Sequence, residues 1–261
     1  MKCHKHMLTK KFVHAAIPMG CKACHSEPHQ KNPKFSTGLS AATPDLCYNC
    51  HDKTKFSKKN VHAPVAGGMC SSCHDPHTSD YAKLLIGESP DLCFTCHDKK
   101  GFSGKKIVHS PVAGGMCITC HDPHSSGTPK LLPSDPLVLC FNCHDKTEFS
   151  KKNVHMPVAG GMCLSCHEPH VSEHIALLTK EPVNVCLECH EGIKKKPHVI
   201  VSFSTTGHPI GVQAKGIADP ARKGRKFDCG SCHNPHSSES PGLFIYKADS
   251  SSQLCVNCHK K

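Results

Sequence analysis

Apolar positions along the chain come in short clusters broken by proline and glycine, so the elements they predict are short as well. No run approaches the roughly 18 consecutive apolar residues of a membrane-spanning helix. Twenty prolines and nineteen glycines among 261 residues disfavour long helices, because each proline removes a backbone donor and clashes with the preceding turn. The pattern predicts brief helical turns that start or end at a recurring CxxCH pentapeptide. The proline after its histidine, at Pro76, Pro123, Pro169 and Pro235, ends the turn. Strands are barely signalled, and Val199 to Phe203 is the one plausible case. The fold class this implies is mostly irregular coil with short α-helices, a repeat array with few or no strands.

Composition explains how such a chain can fold at all. Only 37% of residues are hydrophobic, there is no Trp, and three Tyr and ten Phe supply the aromatic content. That is too little apolar side chain for the core that a chain of this length normally buries, so something else must fill the interior. The chain carries 21 cysteines and 24 histidines, a content foreign to an ordinary globular enzyme. Twenty of the cysteines form ten CxxCH copies: Cys21 and Cys24, Cys47 and Cys50, Cys70 and Cys73, Cys93 and Cys96, Cys117 and Cys120, Cys140 and Cys143, Cys163 and Cys166, Cys186 and Cys189, Cys229 and Cys232, and Cys255 and Cys258. CxxCH is the attachment signature of c-type haem: two thioether bonds fix the porphyrin and the adjacent histidine reaches the iron. Zinc sites would pair CxxC without an obligatory trailing His, a redox dithiol would occur once or twice, and a disulfide scaffold would place no His after every second cysteine. The interior is therefore expected to be packed with ten covalent haems, whose proximal ligands are His25, His51, His74, His97, His121, His144, His167, His190, His233 and His259.

The motifs alternate between two types, and together they make a two-haem repeat. One type reads VH, Pro, GGM, CxxCH, then (D/E)PH; the other reads LC(F/Y)xCHDK. First-type cysteines at 21, 70, 117, 163 and 229 give steps of 49, 47, 46 and 66, so the last unit carries an insertion between His208 and Cys229. The boundaries that follow are 1–13 as the truncated end of a preceding unit, then repeats at 14–61, 62–108, 109–154, 155–207 and 208–261.

Fourteen histidines lie outside the motifs, and ten of them recur at fixed places. His14, His62, His109, His155 and His208 precede a first-type motif; His29, His77, His124, His170 and His236 close the PH tail. Ten haems thus face ten regularly placed spare imidazoles, which predicts bis-histidine ligation of every iron. A histidine three residues beyond a proximal ligand lies on the same side of its own haem, so the PH histidines are expected to serve neighbouring haems. His198 competes with His208 in the irregular last unit. Met69, Met116 and Met162 stand directly before the first cysteine, with Met19 one residue earlier, and are read as packing on a ring edge rather than as ligands. His4, His6 and His174 are read as surface residues.

The stretch from Cys3 to His29 parallels that from Cys50 to His77, which makes Cys3-His4 the back end of an eleventh CxxCH beginning before Met1. Residues 1–20 contain no apolar signal segment, although haem of this type is attached outside the cytoplasm. The formal charge of +11 would suggest nucleic acid or an anionic membrane. Haem propionates remove that reading: at roughly −1 per oxidised and −2 per reduced haem, ten haems bring the total to about +1 or about −9. Nucleic acid is not an expected partner.

The CxxCH pairs, the VHxP or GHP segments and the CH(D/N)PH tails give the chain a near full-length resemblance to multihaem c-type cytochromes with the doubled CxxCH motif. The resemblance implies extracytoplasmic respiratory electron transfer, in the periplasm, at the outer membrane or outside the cell. Its implied partners are other cytochromes or redox proteins, an outer-membrane conduit, or further copies of the chain. The competing class is a multihaem oxidoreductase of nitrite or hydroxylamine type. It needs an open iron, and only the irregular last pair, Cys229 to His259, offers a place for one. No catalytic residue is expected.

Overall fold

A computed structural model describes residues 5–26, 38–195, 216–220, 222–248 and 251–259. The chain forms two compact units, Met1–Lys99 with Gly114–Asp135 and Lys100–Ala113 with Pro136–Lys261. As the prolines and glycines require, coil dominates. Eight strands of two residues are present among the described residues: β1 Phe12–Val13, β2 Asn60–Val61, β3 Thr78–Ser79, β4 Ile107–Val108, β5 Ser125–Ser126, β6 Asn153–Val154, β7 Val171–Ser172 and β8 Ser237–Ser238. They lie where the sequence signals none, and Val199 to Phe203 falls outside the described residues.

Each strand joins the VH segment of one repeat to the residues just past the PH tail of the next. In the first unit β1 pairs antiparallel with β3 and β2 with β5; in the second, β4 pairs with β7 and β6 with β8. The partners are far apart in sequence, with Val61 opposite Ser125 and Val154 opposite Ser237. Burial concentrates at these crossings. Ser125 and Ser237 are fully buried, and Thr78, Ser79, Ser126 and Ser172 nearly so, whereas the apolar residues buried among those described are only Val171 and Ala248. A buried hydroxyl must be hydrogen-bonded, and these are. Ser125 Oγ donates to the Lys55 carbonyl and accepts from the Lys58 N–H, and Ser237 does the same with Glu148 and Lys151. Ser237→Ala is therefore expected to destabilise the matured protein by about 1–3 kcal/mol, because two backbone groups lose their buried partner. Denaturant unfolding measures it, and an unchanged midpoint would remove the serine from the joint.

The helices are single turns: α1 Asp45–Tyr48, α2 Ala63–Ala66, α3 Asp91–Phe94, α4 Ser110–Ala113, α5 Cys117–Cys120, α6 Pro136–Cys140, α7 Met156–Ala159, α8 Pro182–Leu187 and α9 Ser251–Cys255. α2, α4 and α7 follow the VH histidine, and in α2 and α7 a proline near the start supplies the φ a first turn needs. The glycines that follow explain the thrice-repeated VAGGMC. Gly68, Gly115 and Gly161 have φ of +67°, +68° and +69°, and a Cβ there would meet Pro44 at 2.6 Å, Pro90 at 2.5 Å and Leu137 at 3.3 Å. Only glycine both adopts that backbone and admits the preceding repeat so closely. Among the described residues no helix is long and apolar enough to cross a membrane.

Candidate metal centres

All ten CxxCH motifs share one local geometry. The histidine N–H donates to the carbonyl of the first cysteine at 2.8–3.1 Å, which closes a single turn around the three intervening residues. First-type motifs open such a turn at Cys21, Cys70, Cys117, Cys163 and Cys229. Second-type motifs reach the first cysteine at or near the end of α1, α3, α6, α8 and α9, where aspartate stands in the first turn of α1 and α3.

A second set of bonds fixes the imidazoles. His74, His121, His167 and His233 place Nδ1 at 2.7–2.9 Å from the carbonyl nine residues ahead, on Lys83, Lys130, Ala176 and Gly242. Those carbonyls belong to pairs of left-handed residues, Lys83-Leu84, Lys130-Leu131, Ala176-Leu177 and Gly242-Leu243, with φ of 53° to 63°. For residues other than glycine this conformation costs about 1–2 kcal/mol each, so the surrounding structure must hold it. A serine does so in every case, Ser79, Ser126, Ser172 and Ser238 each donating to the carbonyl of the residue after the pair. With Nδ1–H donated to a carbonyl, Nε2 is the nitrogen left for a metal.

The VH histidines are held in the same manner. His14, His62, His109 and His155 place Nδ1 at 2.9 Å from the carbonyls of Pro76, Pro123, Pro169 and Pro235. Their backbone N–H groups donate to the carbonyls of His77, His124, His170 and His236 at 2.8–3.0 Å. The VH histidine of one repeat is thus bonded to the PH histidine of the next. A side-chain oxygen one residue after the proximal ligand orients that PH histidine: Asp75, Asp122 and Asn234 accept the N–H of His77, His124 and His236 at 2.9–3.0 Å. Phe56, Phe102 and Phe149 pack on the rings of His124, His170 and His236 at 4.7–5.1 Å between centroids.

These constraints bring the imidazoles together in pairs. His51 faces His14, His97 faces His62, His144 faces His109 and His190 faces His155; His25 faces His77, His74 faces His124 and His167 faces His236. All seven centroid separations lie between 5.9 and 6.2 Å, with planes within 7–30° of parallel. An imidazole nitrogen binds a metal at about 2 Å and lies about 1 Å from its ring centre, so two imidazoles on opposite sides of one iron stand roughly 6 Å apart. The pairs therefore have the spacing of axial haem ligands. No group of three or more His, Cys, Asp or Glu able to hold a bare ion occurs among the described residues. Two imidazoles alone suit a metal whose remaining ligands come with a macrocycle, and each pair includes the histidine of a CxxC.

Electrostatics agree with ligation by neutral imidazole. Burial, then the facing His74, pushes His124 below its ordinary pKa against the opposing pull of Asp122; burial, then His167, does so for His236. Cysteines of consecutive motifs also meet. Burial and then the touching Cys70 push Cys47 up, and burial and Cys117 do the same to Cys93. A hydrogen bond between Cys186 and Cys229 raises the first and draws the second down to about 7. Within a repeat, the second cysteines of the two motifs are neighbours, as Cys73 is to Cys96 and Cys166 to Cys189.

The remaining predicted ligands are less completely defined. His121 and His233 bond Lys130 and Gly242 as above, and His233 also stacks on Phe244 at 5.1 Å. His170 lies against Phe102, and His259 closes its motif turn to Cys255. His29, His208, His198, Cys3 and His4 lie outside the described residues. His174 is half-buried, 3.4 Å from Glu181. Met19, Met69, Met116 and Met162 are all more than half exposed. Sequence reasoning missed the phenylalanines and the left-handed carbonyls, although the recurrent FS and LL or LF dipeptides at constant offsets were visible signals.

Paired imidazoles at the spacing of one iron, each beside two thiols, define a protein that binds haem covalently, a multihaem c-type cytochrome. The chain belongs to the family described as the doubled CXXCH motif, whose model matches it five times, at residues 14–56, 62–102, 109–149, 155–195 and 219–261. No curated protein matches it.

Proposed function

We propose that the chain conducts electrons outside the cytoplasm along about ten bis-histidine haems, as a link between other redox proteins in respiration. The seven imidazole pairs at 5.9–6.2 Å carry this reading, since a haem with both faces occupied exchanges electrons and has no open position for substrate. When bound, haem supplies an iron that cycles between ferric and ferrous states. The chain attaches it through two thiols, fixes one imidazole in six of the seven pairs by an Nδ1 bond to a carbonyl, and brings the cysteines of successive motifs into contact. That contact favours transfer from haem to haem without a diffusing carrier. Two imidazoles, with no methionine on the iron, keep the potentials low. Delivery to outer-membrane or extracellular acceptors belongs to the same reading, and the partners are other cytochromes rather than nucleic acid.

Intact mass, a pyridine haemochrome count and low-temperature EPR of the matured, oxidised protein test it together. Ten haems, all low-spin ferric, are expected. A high-spin signal would favour the competing oxidoreductase reading, with the pair from Cys229 to His259 the first place to look.

A further inference from the structure

Three of the pairs, His25 with His77, His74 with His124 and His167 with His236, are not electrostatically equivalent, and one difference lies next to the PH histidine. Next to the proximal histidine of a first-type motif stands a residue that also touches the PH histidine two positions later. At Asp75 and Asp122 a carboxylate oxygen accepts the backbone N–H of His77 and His124 and lies 3.9 and 4.0 Å from their Nδ1. At Asn234 an amide oxygen accepts the equivalent N–H of His236, so the same contact carries no charge.

A second difference accompanies the first. Lys58 stands 3.9 Å from Asp122, and Lys10 stands 4.0 Å from Asp75. Lys151 occupies the place of Lys58 two joints along, but pairs with Glu148 at 2.8 Å; Glu148 in turn stands where the earlier repeat has Lys55. Over these equivalent positions Lys55, Lys58 and Asp122 carry a net +1, and Glu148, Lys151 and Asn234 a net 0. The carboxylate has moved from the ligand imidazole to the neighbouring loop.

We propose that this exchange sets a potential step along the first-type haems: the haem on Cys163 and Cys166, ligated by His167 and His236, is reduced before those on Cys21 and Cys24 and on Cys70 and Cys73. The inference rests on the haem reading above. A carboxylate 3.9–4.0 Å from the Nδ1 of an axial imidazole acts through its charge, favouring the ferric state; an amide does so much less. Asp75, Asp122 and Asn234 are positioning residues that act through the histidine, and electrons entering the second unit have a preferred resting place at Cys163 and Cys166.

The test is potentiometric titration of the full-length, matured protein, followed by EPR and haem-methyl NMR, with mass and spin state recorded for every variant. Asn234→Asp is expected to lower one haem's potential and Asp122→Asn to raise another's. Each shift corresponds to about a tenfold change in the reduced-to-oxidised ratio at fixed potential, or about 59 mV. Adding Glu148→Lys to Asn234→Asp rebuilds the earlier arrangement and is expected to give that haem a potential close to the haem on Cys70 and Cys73. Shifts of the same sign in both variants, or no shift with haem count and low-spin signals intact, would overturn the proposal. A wild-type chain that carries no haem would overturn the haem reading itself, a result the mass reports separately.

Discussion

Replacing His124 with alanine is expected to convert one haem, that on Cys70, Cys73 and His74, from six- to five-coordinate, leaving the others low-spin. The His124 ring stands 6.0 Å from that of His74, with Phe56 against its edge at 5.0 Å. Its burial and the facing imidazole keep it neutral, as a ligand must be. What places it is backbone: its carbonyl accepts from the His62 N–H, its own N–H donates to Asp122, and Val61 pairs with Ser125 next to it. None of these bonds needs the imidazole, so the joint and the His62 ligand held by it should persist. EPR is expected to gain one high-spin ferric signal, and the reduced protein to bind one equivalent of carbon monoxide where the wild type binds none. An entirely low-spin spectrum would mean that His124 is not the ligand of this iron.

The second large effect is global. Chain produced without haem attachment is expected to lack cooperative structure altogether, with a disordered far-UV circular dichroism spectrum, little protection of amide hydrogens and rapid proteolysis. Folded proteins are close-packed by apolar side chains. Here the buried residues among those described are mostly serine and threonine, while Met19, Ile118 and Met156 are 69%, 66% and 81% exposed without the cofactor. Eight two-residue strands cannot hold a chain together, since even a single longer hairpin is marginal in water. Binding and folding are therefore one equilibrium. A protease-resistant apo-protein with a sharp thermal transition would refute this account of the interior.

The motif histidines and the regular spare histidines could be read directly from the residues, because covalent attachment demands a fixed spacing and repetition exposes whatever accompanies it. That a PH histidine faces the histidine of another motif also followed from its offset of three. Which neighbour it serves did not follow. The choice depends on register between segments more than sixty residues apart, such as Val13 opposite Thr78, and two-residue strands leave no alternating pattern to read. The left-handed carbonyls were hidden for another reason: lysine and leucine have no preference for that backbone, and only the buried serines that clamp it hold it there. The serines carry no signal of their own, because their burial comes from the crossing of two repeats rather than from their polarity.

The register of those crossings governs how such a chain changes length. A second-type proximal histidine faces a histidine of its own repeat, as His51 faces His14, whereas a first-type proximal histidine faces one from the repeat that follows, as His25 faces His77. The strand pairings β1–β3, β2–β5, β4–β7 and β6–β8 follow one rule among the described residues, so joints are interchangeable. If the segment 62–108 were lost by unequal crossing-over, His124 would arrive where His77 had been, with Pro123 and Asp122 in the places of Pro76 and Asp75. Duplicating the segment would insert two more carriers and orphan no ligand. A small insertion within a joint, by contrast, would detach two haems at once. Selection can thus adjust the reach of the conductor by whole repeats, and the near-constant steps of 49, 47 and 46 residues between Cys21, Cys70, Cys117 and Cys163 are the trace of that quantisation.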